Sequence, residues 1–68
     1  MFFNGDQVAW ATKANCFLGT ILSSNEKSSV IIVTSQMTGR QLEGKKVVVN
    51  NAFLGKVENG KAIVTMAK

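Results

Sequence analysis

The chain has 68 residues, 46% hydrophobic and 18% charged, and a net charge of +4 from eight Lys/Arg against four Asp/Glu. That describes one small domain, too apolar to be a disordered segment. Histidine and tyrosine are absent and Cys16 is the single cysteine. An intrachain disulfide is therefore excluded, and the donors of a zinc site and the commonest general base are missing.

At the start, "MFFNGDQVAW" lacks a basic region followed by an apolar core, so it does not read as a secretory leader. No apolar run approaches the ~20 residues that cross a bilayer. With one unpaired cysteine, the expected compartment is a reducing cytoplasm. Valine, isoleucine and threonine then dominate segments bounded by polar turn clusters, which is the pattern of β-strands. The expected strands are Gln7–Thr12, Phe17–Leu22, Ser29–Ser35, Lys45–Asn50, Phe53–Glu58 and Lys61–Met66. "TKAN" (Thr12–Asn15) and "NNA" (Asn50–Ala52) link neighbouring strands, and "SSNEKSS" (Ser23–Ser29) forms a longer exposed loop. "SQMTGRQLEG" (Ser35–Gly44) reads either as an irregular crossover or as one helical turn, and Gly39 weakens the helix by about 1 kcal/mol. "ENGK" (Glu58–Lys61) sets Asn59-Gly60 between two apolar runs, the signature of a type I′ hairpin.

The chain also repeats itself. "NCFLGTI" (Asn15–Ile21) returns as "NAFLGKV" (Asn51–Val57), and "IVT" at Ile32–Thr34 returns at Ile63–Thr65. Gly5, Val8 and Trp10 match Gly44, Val47 and Val49 in spacing. A duplicated three-strand unit, spanning 5–35 and 44–67 of the single domain 1–68, is the expectation. It implies an all-β fold, a five- or six-stranded antiparallel barrel whose closure removes sheet edges. Asn15 and Asn51 suit tight links, Phe17 and Phe53 should face the core, and Gly19 and Gly55 should mark bulges or corners.

"VIIV" (Val30–Val33) and "VVV" (Val47–Val49) do not alternate apolar with polar residues. Both faces of these strands are apolar, and no segment is long enough to form a helix that would cover the second face. An uncovered apolar face marks an interaction site. The expected homo-oligomer or protein-partner interface comprises Phe2, Phe3, Ile31, Val33 and Val48, unless Phe2 and Phe3 fold back to cap it.

"GDQVAW" followed by "FLGTI" resembles the opening of SH3-like small barrels of the Tudor and KOW type. Gly5, Asp6, Val8, Trp10, Gly19 and Ile21 carry the likeness, over roughly the first third of the chain. The resemblance implies a binding or assembly module, often for nucleic acid or peptide. Without tyrosine no aromatic cage can be assigned, so a methylated ligand is not implied. An OB-like barrel is the alternative, with Ser35–Gly44 supplying its short helix.

No catalytic, cofactor or metal residues are expected, and the chain does not read as an enzyme. Asp6, Glu26, Glu43 and Glu58 lie in turns or loops, Cys16 has no base to activate it, and "GKKV" lacks the rest of a phosphate loop. The leading functional reading is a protein-interaction or assembly module. The second is a nucleic-acid-binding barrel in which the dispersed Lys13, Arg40, Lys45, Lys46, Lys56 and Lys61 contact phosphate and Trp10 stacks on a base. A third is a symmetric oligomer with a small-molecule site at its axis.

Overall fold

Two glycines deliver the chain into the sheet. The computed structural model describes residues 2–58 and the backbone of residues 61–62. Gly5, at φ +89°, donates its N–H to the Ile21 carbonyl at 2.8 Å and turns the chain into β1 (Gln7–Ala11). Gly44, at φ +81°, donates to the Val33 carbonyl at 2.7 Å just before β4 (Lys46–Asn50). A side chain at either φ would be strained, so the shared spacing of these glycines has a backbone cause.

The remaining strands are β2 (Cys16–Ser24), β3 (Ser28–Gln36), β5 (Gly55–Glu58) and the two-residue β6 (Lys61–Ala62). They form an antiparallel sheet in the order β4-β3-β2-β1-β5, with β6 added beyond β5. The fold is all-β, and the described residues contain no α-helix. β1 is flanked on both sides, pairing Val8 with Gly19 of β2 and with Lys56 of β5.

One sheet face closes on a single cluster of Val8, Trp10, Phe17, Ile21, Ile31, Val33 and Leu54. Each such side chain contributes roughly 1.5–3 kcal/mol when fully buried. Trp10 and Phe17 are register partners across β1 and β2, and their rings stack at 5.3 Å. Phe2, Leu42, Val47 and Val49 pack against this cluster from its rim. β2 and β3 slip register twice, between Leu18 and Gly19 and between Ile21 and Ser23. Such bulges bend a strand and increase its twist.

Gly19 sits at the first slip, as a bulge glycine should. A Cβ there would lie 2.7 Å from the Ile32 carbonyl oxygen and 3.3 Å from the Trp10 ring. Only a glycine lets β2, β3 and Trp10 approach so closely.

Several expectations are corrected. The strand expected from Phe53 begins at Gly55, because Asn51–Phe53 forms a 3-10 turn whose Ala52 N–H is accepted by the Asn50 side chain at 2.9 Å. Phe53 is consequently half-buried and is not part of the core cluster. Of the two readings of Ser35–Gly44, the irregular crossover holds and the helical turn does not. After β3 the segment is an irregular loop with a closing turn at Gln41–Gly44. Gln36 holds it, donating to Thr38 O at 2.6 Å and accepting from Leu42 N–H at 3.1 Å. The two halves do not share one pairing pattern: β2 pairs with β1, whereas β5 pairs with β1 and not with β4 among the described residues. The pairing of Glu58 with Lys61 brackets the "ENGK" turn. Asn59-Gly60 and the second "IVT" lie outside the described residues.

Candidate interaction surface

The alternation of β4 decides which apolar side chains reach solvent. Val47 and Val49 turn inward and pack on the core, while Lys46, Val48 and Asn50 are exposed. Val48 is 69% exposed and directly opposite Val30 of β3. On β3 the inward set is Ser29, Ile31 and Val33, so Val30 and Ile32 face out and are half-exposed. Leu22, left unpaired at the second bulge of β2, is also exposed. The outer face of β3 and β4 therefore carries Val30, Ile32 and Val48, and among the described residues no side chain of another layer covers Val48, which is 69% exposed.

This corrects the expected interface. Ile31 and Val33, at 0% and 1% exposure, are core residues and present no surface. Phe2 is half-buried against the core rim. Phe3 is 60% exposed, with the Lys56 ammonium 5.9 Å from its ring centroid. Neither phenylalanine covers Val48. Of the five residues, Val48 and Phe3 are the surface ones, Val48 in β4 and Phe3 in the segment before β1. An unbroken apolar run hides its phase, so the sequence does not separate outward Val30 and Ile32 from inward Ile31 and Val33. The signal was present elsewhere: the spacing shared by Gly5-Val8-Trp10 and Gly44-Val47-Val49 already marks Val47 and Val49 as inward and Val48 as outward.

Four of the eight cations lie on segments that meet at one end of the sheet. The link 12–15 and the loop 37–45 lie at one end of the sheet and are tied together. Asn15 donates to Thr38 O at 2.7 Å and accepts from Thr38 N–H at 3.0 Å, and Met37 N–H donates to Cys16 O at 2.9 Å. This end carries exposed Lys13, Arg40, Lys45 and Lys46 against one acid, Glu43, whose carboxylate accepts the Gln36 N–H at 3.2 Å. Lys56 is elsewhere, at 3.4 Å from Asp6. Trp10, 5% exposed, is stacked on Phe17 and offers no face to a base. The Lys61 side chain lies outside the described residues.

At the opposite end, two adjoining open grooves share Phe2, Asn25 and Glu26 and measure about 630 and 440 Å³. Asp6 lies near them. Its carboxylate accepts the Phe3 N–H at 2.9 Å, and this bond, followed by the charge of Lys56, holds Asp6 below its ordinary value of 3.8. No group of three His, Cys, Asp or Glu that could hold a metal occurs among the described residues. No helix among them is long and apolar enough to cross a membrane. No family model, curated protein or solved structure matches the chain.

Proposed function

We propose that the protein is a non-enzymatic binding and assembly module, an SH3-like small barrel acting through protein–protein contacts of its outer β3–β4 face. The observation that carries this reading is Val48, 69% exposed in mid-strand and backed by outward Val30. An exposed β-branched residue on an apolar strip gains from a partner that removes it from water. The barrel reading is supported by the two bulges between β2 and β3, by the single core cluster, and by the resembling residues, Gly5 to Ile21, on and just before the β1–β2 unit. The absence of catalysis is supported by a chain that offers Cys16 no histidine to activate it.

Native mass spectrometry at low salt, on the wild type and on Val48→Lys, tests it. The expected result is an assembly or retained partner in the wild type and its loss in a variant with unchanged circular dichroism. A bare monomeric wild type, or an assembly that the variant leaves intact, overturns the reading.

A second reading is favoured by the gathering of Lys13, Arg40, Lys45 and Lys46 at one end: phosphate-backbone binding without base stacking. Such binding falls steeply with salt as counterions are released. Anisotropy of a labelled single-stranded oligonucleotide should weaken with added salt and with Lys45→Gln/Lys46→Gln. Absence of binding at low salt removes it.

A further inference from the structure

The hydrogen-bonding direction of β4 identifies a partner. Val33 N–H donates to Lys45 O at 2.9 Å, and Asn51 N–H donates to Lys27 O at 2.9 Å, bracketing β4 in one uniform register with β3. In an antiparallel ladder, residues that bond to the neighbouring strand alternate with residues whose N–H and C=O point away. Residues 45, 47, 49 and 51 thus face β3. Lys46, Val48 and Asn50 aim their backbone groups at the outer edge, where no strand pairs with β4 among the described residues.

We infer that this edge pairs with β4 of a second copy of the chain, antiparallel and centred on a two-fold axis at Val48. The inference deepens the reading above by naming the partner. The register is self-selecting. Centred on Val48, it sets Val48 against Val48, Val47 against Val49 and Lys46 against Asn50, and it uses every outward peptide group of the strand. Centring on Lys46 would oppose two ammonium groups. Centring on Val47 would need the outward peptide of residue 44, but Gly44 has a positive φ and its N–H is bound to Val33 O. The exposed Val48 side chain would meet its own copy, joining two apolar strips into one ladder. Edge strands of soluble proteins usually carry a charge or proline that blocks such pairing. Here the only charge on β4, Lys46, stands at the end of the strand opposite a neutral amide.

Sedimentation velocity of the full chain and two variants tests the inference. Val48→Pro removes one outward N–H and leaves the bonds to β3 intact, since proline is tolerated on an edge. Val30→Lys alters the outer face and leaves the β4 edge unchanged. The expected result is a wild-type dimer, at least tenfold weaker association in Val48→Pro, and a retained dimer in Val30→Lys. The reverse pattern, with Val30→Lys monomeric and Val48→Pro dimeric, overturns edge pairing while leaving the face reading in place. Oxidised Cys16→Ser/Val48→Cys should give a covalent dimer, because hydrogen-bonded partners about 5.5 Å apart at Cα lie within disulfide reach. Failure to cross-link overturns the register. A wild-type monomer with slow amide exchange at Val48 also overturns it.

Discussion

Asn15–Ile21 and Asn51–Val57 carry almost the same string and take different backbone paths. The first runs as the start of β2 from Cys16 onward, whereas the second begins as a 3-10 turn and becomes strand only at Gly55. The change of path inverts which apolar residue is inside. Phe17 is buried and Leu18 is 43% exposed, whereas Leu54 is buried and Phe53 is half-buried. What the two copies share is their relation to β1. Gly19 lies against Val8 on one side of β1, and Gly55 lies against Ala9 on the other. Thr20 accepts a bond from Gln7 at 3.0 Å, and the equivalent Lys56 pairs with Asp6 at 3.4 Å, so both sixth positions tether the start of β1. Each asparagine clamps a loop distant in sequence: Asn15 holds Thr38, and Asn51 donates to Asn25 O at 2.7 Å while accepting from the Ser29 hydroxyl. Similar strings here specify similar neighbours rather than similar local conformation.

The inversion can be tested directly. Phe17→Ala should have the largest effect, about 3–5 kcal/mol, because it opens a cavity beside Trp10. That is enough to unfold a domain of this size, whereas Phe53→Ala should give a folded protein with a modest loss on urea denaturation. Leu54→Ala should cost about 2–5 kcal/mol, and Leu18→Ala only about 0.5 kcal/mol as a surface change. If the four variants rank Phe53 with Phe17 and Leu18 with Leu54, the two copies pack alike and the inversion is wrong.

A smaller effect is expected at Gly19. Gly19→Ala should destabilise by about 1–3 kcal/mol through overpacking against the Ile32 carbonyl and the Trp10 ring. Near-UV circular dichroism should register the displaced indole. An unchanged stability would mean that β2 and β3 can separate at the bulge without loss.

The smallest effect separates the two tethers by pH. The carboxyl of Asp6 is held below 3.8 in the folded chain, so its contribution is present above that range and is lost as pH falls through the folded value. The melting temperatures of wild type and Asp6→Asn should differ at neutral pH and converge on acidification. The Gln7–Thr20 tether has no titrating group, so Thr20→Val should differ from wild type equally at both pH values. A pH-independent gap for Asp6→Asn would remove Lys56 and Phe3 as the cause.

Five strands could be read from the sequence because β-branched runs and turn clusters agree in β1 to β4 and in the second half of Phe53–Glu58. The 3-10 turn could not be read there. Its cause is the Asn50 side chain capping Ala52, and an Asn-Asn pair equally suits a plain link. The exposed apolar strip was half legible. A run such as Val30–Val33 fixes burial without fixing phase, since a one-residue shift exchanges the two faces. Ser29 adds to the ambiguity: it is polar yet fully inward, satisfied by Ser24 at 2.8 Å and by Asn51. The basic end was invisible because the segments that carry Lys13 and Arg40 are brought together by the Asn15–Thr38 clamp, which joins residues far apart in sequence.

The placement of β1 between β2 and β5 also has a kinetic consequence. The hairpins from β1 to β4 join residues near in sequence, whereas Val8↔Lys56 and Ala9↔Gly55 close the longest loop among the described residues. Loop-closure entropy makes such a pairing the late step of refolding. Until it forms, one side of the most deeply buried strand is unpaired, and a second molecule can take the place of β5. Refolding yield should therefore fall with protein concentration, with the loss set by how fast that last strand docks.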